Sequence, residues 1–492
     1  MNCLGYGEKM RTYEELTGAR GSRVFYRAER FNARDLFQRR PPLVAFGDVY
    51  FELDNISMTG LAASRAAGAE LSEHEANEVA IVFEGDNEPL FHGKGRIERI
   101  ERGANATRVA LSFTGTPLDI SDLVSRYNES LLKRDLNGGL HHALESVAPE
   151  YRRHCVDVLH LLRRYKGTLE KFRVEGPENV ERREVLYELC DQRLLPEWRS
   201  LWRQGNDLVR PLMGDDRLLQ PTKEFTEYVL TPEFMAGHIW ERSYRKPLGY
   251  PGDYMVMNRV YGWKPQGEGV YERLVDRIGL DVAECIATRM VMIQHLIADT
   301  VAAPQSGNPV RVLSLGCGPA QEVQNYLDLT GQARPLQATL VDQDETALSY
   351  AYERIFPKIM AKGDGSSVRC LQMSFVELMK VGRIFETLPP QDLIYTVGLV
   401  DYLSLRRVQD LTQCLYEKLA PGGRLVIGNM ADVELGNQWP MEFICDWNLH
   451  YRGKDEIMDF AALLPRHVER EIVPDPTGRV YMLQIRRPEN AV

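Results

Sequence analysis

The sequence Val312-Leu-Ser-Leu-Gly-Cys-Gly-Pro319 predicts a buried strand that ends in a glycine turn, and a second apolar run, Ala338-Thr-Leu-Val-Asp342, follows it. Leucine-rich and β-branched runs of this kind are typical of parallel strands buried on both faces. The two glycines allow the backbone to turn tightly and to approach a ligand closely. Asp342 then lies at the tip of the next strand, where a carboxylate can accept hydrogen bonds from the two ribose hydroxyls of an adenosine moiety. We therefore expect a Rossmann-like nucleotide-binding turn.

The turn also indicates which adenosine ligand it binds. A dinucleotide site needs a third glycine three positions after the second, so that the pyrophosphate rests on the helix N-terminus. Here that position is Gln321, and the turn carries Pro319. A ligand with an adenosine moiety and no pyrophosphate is therefore favoured.

The motif resembles motif I of the class I S-adenosylmethionine-dependent methyltransferases, and three more segments continue this resemblance. Asp342 matches the acidic residue of the family's second strand, Asp392–Leu403 resembles its fourth strand and the loop beyond, and Leu419–Ile427 is similar to its Pro-Gly-Gly turn into the fifth strand. The resemblance begins near Pro309 and implies S-adenosylmethionine as the cofactor. The residues that it implies for cofactor binding are Gly316, Cys317, Gly318, Pro319, Asp342, Gln343, Ser374, Phe375, Val397, Tyr250 and Asp253. The alternative is a fold of this type that has lost its cofactor.

Composition limits the class of protein. Of the 492 residues, 44% are hydrophobic and 26% are charged, which is an ordinary composition for a globular protein. The length suggests roughly three domains. No apolar run approaches the length of a membrane span, so we expect a cytoplasmic protein without a transmembrane segment. The formal charge of −10 disfavours extended contact with nucleic acid. The eight cysteines show no close-spaced pair, so neither a metal site nor a disulfide framework is predicted.

The pattern of apolar and charged residues changes twice along the chain. Residues 1–118 contain short alternating strands separated by turns, which predicts a small β-barrel. Residues 119–241 have apolar residues every three or four positions among many charges, which predicts an α-helical connector. Residues 242–492 carry the Rossmann-like motifs, with the α/β core starting at about residue 309. The predicted protein is thus multidomain.

The β-rich part contains a motif that resembles the PilZ domain, a barrel that binds cyclic di-GMP. The segment Asp54-Asn-Ile-Ser-Met-Thr-Gly60 matches the family's second signature through Asn55, Ser57 and Gly60. Two segments match the first signature, Arg23–Arg27 and Arg30–Arg34, and the second is preferred because it lies nearer the turn motif. Arginine forks suit phosphate and guanine recognition. The resemblance implies cyclic di-GMP binding by Arg30, Arg34, Asn55, Ser57 and Gly60; the alternative is a docking module, because the usual doubled arginine is missing.

The methyl acceptor is approached by elimination. Enzymes that methylate an exocyclic amine of a nucleobase usually carry an Asn/Asp-Pro-Pro-aromatic motif after the fourth strand, and Thr396-Val-Gly-Leu-Val-Asp-Tyr402 is apolar in that place. A carboxylate acceptor is ionised at neutral pH, since its reference pKa lies near 4, and it therefore needs no general base.

Two segments resemble the 3-hydroxypalmitic acid methyl ester biosynthesis family, bacterial enzymes that esterify a 3-hydroxy fatty acid to make a signalling molecule. They are Arg245–Tyr254 and Trp439–Arg452, within a likeness that covers about residues 235 to 490. The resemblance implies that Tyr250, Asp253 and Tyr254 line the mouth of the site. It also implies that His450, Tyr451 and Arg452 orient the acceptor carboxylate. The alternative for each residue is a structural role.

Three functional interpretations remain open at this point. The first is O-methylation of a fatty acid carboxylate with regulation by cyclic di-GMP, and the second is methylation of another small metabolite or a protein side chain. The third is an interaction protein that responds to cyclic di-GMP and has an inactive methyltransferase domain. The sequence also leaves a homodimer open.

Overall fold

The structure is a computed structural model. It describes residues 13–16, 23–26, 30–37, 41–47, 49–66, 76–83, 88–102, 106–114, 118–136, 146–171, 180–248, 250–303, 309–329, 334–373 and 388–489. The chain divides into two compact units, Met1–His142 and Ala143–Val492.

The described residues of the first unit form nine strands. They are β1 (Tyr13–Leu16), β2 (Arg23–Tyr26), β3 (Arg30–Asn32), β4 (Leu43–Phe46), β5 (Val49–Ser57), β6 (Gly60–Ala66), β7 (Ala76–Val82), β8 (Phe91–Arg102) and β9 (Ala106–Phe113). Six of them close into an antiparallel ring in the order β4-β7-β8-β9-β6-β5, in which β5 also pairs with β4. β3 pairs with the end of β5, from Asn55 to Ser57, and β1 pairs with β2. Alternate side chains such as Phe51 and Leu53 point into the ring and form its apolar core. The predicted small barrel is therefore present.

Two helices complete this unit, α1 (Ala33–Leu36) and α2 (Ile120–Leu136). Tyr127 of α2 contacts Phe37 and Phe83 edge-on, with ring centroids 4.8 and 5.4 Å apart. The helix thus packs on the barrel core, although residues 119–136 were predicted to belong to the connector.

Helices come before the sheet in the second unit. They are α3 (Pro149–Lys171), α4 (Val180–Val209), α5 (Asp216–Val229), α6 (Thr231–Phe234), α7 (His238–Arg245), α8 (Tyr254–Gly262) and α9 (Val270–Ala302). The Trp198 and Trp439 ring centroids lie 5.8 Å apart, and the Trp202 indole donates to the Gly436 carbonyl at 2.7 Å. Since these residues share one hydrophobic core with the sheet, the helices from residue 146 onward pack on the C-terminal part. The predicted boundaries at 118 and 241 remain a proposal, whereas the compact units divide after His142.

The sheet of the second unit has seven strands. They are β10 (Val310–Leu315), β11 (Leu336–Asp342), β12 (Ser367–Gln372), β13 (Gln391–Thr396), β14 (Leu419–Met430), β15 (Glu469–Pro474) and β16 (Val480–Arg486). Their order is β12-β11-β10-β13-β14-β16-β15, and the first five are parallel while β16 is antiparallel to both neighbours. The predicted Rossmann-like core is confirmed by this arrangement.

Helices cover both faces of this sheet. One face packs on α9, α10 (Gln321–Asp328) and α11 (Glu345–Lys362), and the other on α12 (Leu405–Glu417) and α13 (Lys454–Met458). Successive β10 residues serve opposite faces, because Val312 belongs to the first core and Leu313 to the second. The order of the strands reverses at β10, so that the carboxyl ends of β10 and β13 form the crevice where ligands of such sheets bind.

Candidate active site

The turn after β10 adopts the predicted glycine conformation. Gly316 and Gly318 have φ angles of 64° and 50°, in the left-handed region that favours glycine. The amides of Gly316 and Cys317 both donate to the Val341 carbonyl, at 2.8 and 3.1 Å, and thereby fix the turn against β11. A Cβ placed on Gly318 would have no heavy atom within 4 Å, so the space in front of this backbone is open. The turn therefore leaves room for a ligand to lie against its backbone.

Asp342 lies next to this space at the end of β11. Its Oδ2 accepts from the Gly318 amide at 2.8 Å, and its Oδ1 accepts from the Asp344 amide at 3.0 Å. Burial raises the pKa of the carboxyl group, while the backbone donors oppose the rise. Each oxygen keeps a lone pair for a further donor. The arrangement fits the two hydroxyls of a ribose.

The other residues predicted around the turn have mainly backbone contacts. Cys317 is buried, and burial raises the pKa of its thiol. The Pro319 carbonyl accepts from the Gln324 side chain at 2.6 Å, and the carbonyl of the exposed Gln343 accepts from Gln372 at 3.3 Å. Predicted roles for Ser374 and Phe375 fall outside the described residues.

Tyr250 connects the predicted mouth segment to the second strand. Its hydroxyl donates to Asp344 Oδ2 at 2.9 Å, and Asp344 in turn caps α11 by accepting from the Thr346 amide at 2.8 Å. The Tyr254 ring lies 5.2 Å from the Tyr350 ring of α11. Burial and the neighbouring Asp344 raise the pKa of Tyr250, so its hydroxyl stays protonated. Tyr250 therefore lies beside the carboxyl end of β11 and Tyr254 packs on α11, while their roles at the mouth of the site remain predictions.

Asp253 has a structural role in this segment. It is 1% exposed and caps α8 by accepting from the amides of Met255 and Val256 at 2.9 and 3.0 Å. Arg242 Nη2 lies 2.7 Å from its Oδ2. These contacts leave Asp253 holding the turn in shape, and direct contact with a ligand remains a prediction.

The two segments that carry the methyl ester family resemblance meet in space. A Cβ on Gly252 would lie 2.3 Å from the Trp447 ring, so only glycine allows this close approach. Lys246 Nζ donates to Asp446 Oδ2 at 2.6 Å, and the Trp447 indole donates to the Tyr402 hydroxyl at 2.8 Å. Tyr402 is 40% exposed, and partial burial raises its pKa.

The loop after β13 forms the other wall. Val397 is half-buried, and its Cα would lie 3.2 Å from a Cβ built on Gly428. A Cβ on Gly316 would lie 3.5 Å from the Leu399 Cβ. The predicted cofactor residue Val397 thus belongs to a loop that borders the glycine turn.

His450, Tyr451 and Arg452 differ in their surroundings. His450 is exposed, its amide donates to the Asp401 carbonyl at 2.8 Å, and burial together with the neighbouring Arg452 lowers its pKa. The Tyr451 hydroxyl contacts Met441 Sδ at 3.8 Å, and burial raises the Tyr451 pKa.

Arg452 was predicted to orient an acceptor carboxylate, and the structure gives it different contacts. It is 4% exposed, and its guanidinium donates to Asn429 Oδ1 at 2.5 Å and to the carbonyls of Val400, at 3.2 Å, and Leu403. These bonds occupy the guanidinium with the loop around Val400–Tyr402. Arg452 therefore holds this loop in position, and its predicted role toward an acceptor carboxylate remains a prediction.

The sequence analysis did not identify two buried charged residues near this loop, Asp401 and Arg289. Asp401 is buried, accepts from the Met430 amide at 2.7 Å, and has a pKa raised to about 6 by burial, against the opposing effect of Arg289 and Arg452. Arg289 is also buried, on α9. It lies three residues after Ile286 and four before Ile293, which places a charge on the apolar stripe of a helix. That interruption was the available signal.

In the residue ranges described above, no group of three histidine, cysteine or acidic side chains is placed to hold a metal ion. None of the helices within these ranges combines the length and the apolar character that a bilayer crossing demands.

The PilZ-like residues lie in the first unit. Arg30 of β3 pairs with Ser57 of β5, and Asn32 pairs with Asn55, so the strands bring the two signatures into register. Ser57 is buried and its hydroxyl donates to the Gly60 carbonyl at 3.0 Å. A Cβ on Gly60 would lie 2.3 Å from the Leu111 carbonyl oxygen, so the close approach of β9 requires glycine there. Ser57 and Gly60 therefore shape the turn, and a ligand contact by either remains a prediction.

No protein-family model matches this chain, and no curated protein matches it in sequence. Solved structures do match. A protein described as a possible exported protein from Bordetella parapertussis is 18% identical, with a TM-score of 0.38, over 60% of this chain and 95% of that one. The N-methyltransferase NodS from Bradyrhizobium japonicum is 18% identical, with a TM-score of 0.28, over 40% of this chain and 96% of that one. Magnesium protoporphyrin IX methyltransferase from Synechocystis PCC 6803, with bound SAH, is 13% identical, with a TM-score of 0.34, over 50% and 97% of the two chains.

The fold is that of a Rossmann-like α/β domain. The glycine turn after β10, Asp342 at the end of β11 and the positions of β13 and β14 agree with the motifs on which the resemblance to class I methyltransferases rests.

Proposed function

We propose that this chain is an S-adenosylmethionine-dependent methyltransferase that esterifies the carboxylate of a fatty or 3-hydroxy fatty acid. The observation that carries the proposal is the open space at Gly318 beside the Asp342 carboxylate. S-adenosylmethionine bound there would supply a methyl group on a sulfonium, which a nucleophile in the cleft accepts by in-line displacement.

Each part of the site has a role in this proposal. Asp342 holds the ribose hydroxyls through charge-assisted hydrogen bonds. Gly316 and Gly318 let the methionine portion lie against the backbone, and the link from Tyr250 to Asp344 fixes the edge beside the ribose. Exclusion of water by this edge favours the displacement, because alignment in a dehydrated cavity is what methyl transfer requires.

The acceptor proposal rests on the character of the cleft. Tyr402 and Trp447 are joined by a hydrogen bond, and they present aromatic surface together with Tyr451. Aromatic walls suit an alkyl chain, since they bury apolar area and offer few polar groups. A carboxylate nucleophile is already ionised and needs no general base, which agrees with a site whose described residues include no histidine hydrogen-bonded to an acid.

Regulation by cyclic di-GMP is the finer part of the proposal. Its support is the pairing of Arg30 with Ser57 and of Asn32 with Asn55, which brings the predicted arginine and turn signatures to adjacent strands. Two arginines and short polar side chains at such a place suit a phosphodiester and a guanine edge.

The proposal is tested by calorimetry with S-adenosylhomocysteine, followed by transfer assays with labelled S-adenosylmethionine. We expect micromolar binding, and a mass increase of one methyl group in long-chain 3-hydroxy acids but not in their amides. If the amides give as much product, the acceptor group is not the carboxylate. If S-adenosylhomocysteine does not bind, the chain is not an S-adenosylmethionine-dependent enzyme.

A further inference from the structure

Arg289 is a buried cation that has no hydrogen-bond or ion-pair partner among the described residues. It lies in the middle of the 33-residue helix α9 and is 7% exposed. Its Nε has no hydrogen-bond partner, and the guanidinium makes no hydrogen bond or ion pair with any residue in the described ranges. An arginine stays charged in proteins, and a buried charge without a partner is strongly unfavourable. Arg289 therefore needs an anion that the described residues do not supply.

The acids near Arg289 make their hydrogen bonds elsewhere. Asp401 is influenced by the positive charge of Arg289, but its carboxylate accepts from the Met430 amide and is also influenced by the buried Arg452. Glu322, which acts together with Arg289 on Tyr261, accepts from the Tyr395 hydroxyl at 2.6 Å. Within the described residues neither acid forms an ion pair with the Arg289 guanidinium, so its donors stay open to a further acceptor.

Arg289 also lies against the loop that borders the glycine turn. A Cβ on Gly398 would lie 3.0 Å from Arg289 Nη2, so the guanidinium is pressed against the loop that follows β13. The neighbouring Leu399 is the residue that approaches the glycine turn, 3.5 Å from the Cβ position of Gly316. The positive charge of Arg289 acts to lower the pKa of Tyr261 and of the half-exposed Tyr402, against the larger effect of burial. Arg289 is therefore placed between the proposed cofactor turn and the aromatic cleft.

We propose that Arg289 binds a carboxylate in this cleft through its guanidinium fork. The planar fork matches a carboxylate in a bidentate arrangement, and a carboxylate supplies the missing negative charge. The inference rests on the proposed function, in which two molecules bring a carboxylate to this place. These are the methionine part of S-adenosylmethionine and the fatty acid acceptor.

The test compares ligands that differ only in the carboxylate-bearing part. S-adenosylhomocysteine carries the amino acid, whereas 5′-methylthioadenosine keeps the adenosine and thioether and lacks it. Titration calorimetry of the full chain measures both ligands with the wild type, Arg289→Met and Arg289→Lys. Arg406→Met is the control, because Arg406 is an exposed arginine paired with Asp410 on the surface of α12.

If the cofactor supplies the carboxylate, Arg289→Met weakens S-adenosylhomocysteine binding by about 10- to 100-fold and leaves 5′-methylthioadenosine unchanged. If the acceptor supplies it, both dissociation constants stay unchanged and the KM for the 3-hydroxy acid rises by a similar factor. Arg289→Lys, which keeps the charge and loses the fork, gives a smaller effect on the same ligand.

Two results would overturn the inference, and they are distinguishable. If Arg289→Met changes neither dissociation constant nor the KM, Arg289 binds no carboxylate although the proposed function stands. If the wild type fails to bind S-adenosylhomocysteine, the proposed function fails and the inference fails with it. Thermal unfolding of each variant, with Arg289→Lys as the conservative replacement, separates a loss of fold from a loss of binding.

Discussion

Asp342 combines a structural and a proposed binding role in one side chain, because its two oxygens already accept from Gly318 and Asp344. Asp342→Ala removes a charge-assisted pair with the ribose, which is worth about 1.5–3 kcal/mol, so we expect the affinity for S-adenosylhomocysteine to fall at least about tenfold. Isothermal calorimetry measures the change. Asp342→Asn, which keeps an acceptor oxygen, serves as the matched variant and loses less. An unchanged dissociation constant in both variants would place the ribose elsewhere.

His154 is the residue through which acid should destabilise the second unit. It is 3% exposed, and its ring centroid lies 4.9 Å from that of Trp439. Neither ring nitrogen has a hydrogen-bond partner among the described residues. Burial lowers its pKa to about 4, against the opposing effect of Asp157. Between about pH 6.5 and pH 4, His154 is therefore protonated in the unfolded chain and neutral in the folded chain. The free energy of unfolding is unaffected by this histidine above pH 6.5, and it falls by up to about 3 kcal/mol as the pH is lowered to 4.

The measurement is the free energy of unfolding at pH 7.5 and pH 5 for the wild type and His154→Leu. We expect a smaller difference between the two pH values in the variant. His160 lies on the same helix but is exposed, so His160→Leu is the control and should keep the wild-type dependence. Equal dependence in all three proteins would show that other groups govern the acid sensitivity.

The ionised state of the acceptor sets the pH dependence of the reaction. A carboxylate with a pKa near 4 is deprotonated throughout the range from pH 7 to pH 9, so we expect a flat rate there. The range begins at pH 7 because the buried Asp401, with a pKa of about 6, titrates below it. Initial rates at saturating cofactor measure the profile. A rate that rises tenfold per pH unit would indicate a hydroxyl or amine acceptor.

The elements around the site depend on contacts between distant parts of the chain. The link from Tyr250 to Asp344 joins positions 94 residues apart and connects the segment before α8 to the start of α11. Tyr250→Phe removes this hydrogen bond and loosens the edge of the site. We expect a loss of about 1 kcal/mol, or roughly fivefold in S-adenosylhomocysteine affinity.

Tyr254→Phe is the control for this prediction. Its ring contacts Tyr350, while its hydroxyl makes no hydrogen bond within the described ranges, so the affinity should not change. Calorimetry with both variants distinguishes the two tyrosines. Equal losses would mean that ring packing, and not the hydrogen bond, holds the edge.

The predictability of these elements follows from how local their signals are. The strands β10 and β11 could be located because each is an apolar run that ends in a ligand-type residue, and the glycine turn follows from two residues of one motif. The approach of Gly252 to Trp447 could not be predicted, because the two positions lie far apart in the chain and only the folded sheet brings them together. The position of Arg289 on an apolar helical stripe suggests a buried charge, but which residues surround it is known only from the folded structure.

At the scale of the whole molecule, the helices from residue 146 to residue 241 belong to the compact unit that contains the sheet. Trp198 and Trp202 share its hydrophobic core with Trp439, and Arg199 pairs with the buried Asp281 of α9 at 2.5 Å. The sequence predicted these helices correctly as helices. It could not show where they pack, because an apolar stripe indicates that a face is buried but not which element buries it.

Regulation is also a property of the whole molecule. If cyclic di-GMP shifts a population between two arrangements, the coupling should lie at about 1–3 kcal/mol, which corresponds to roughly 5- to 150-fold in S-adenosylhomocysteine affinity. Calorimetry with and without cyclic di-GMP measures this ratio. Arg34→Ala should bring the ratio to one, whereas Arg99→Ala, which alters an exposed arginine paired with Glu101 on β8, should keep the wild-type ratio. Wild-type protein that binds no cyclic di-GMP at tens of micromolar would leave the barrel as a docking module.

The ring of six strands in the first unit has a consequence for amide exchange with solvent deuterium. Each of these strands has a hydrogen-bonded neighbour on both sides, so an amide in the ring cannot be exposed by the fraying of a free edge. Exchange must then wait for a larger opening that separates whole ladders. β9 is paired along its length with β6 on one side and with β8 on the other, where one bulge lies between Ile97 and Arg99. The amides of β9 should therefore be among the last in this unit to take up deuterium, well after those of β3, which is paired on one side.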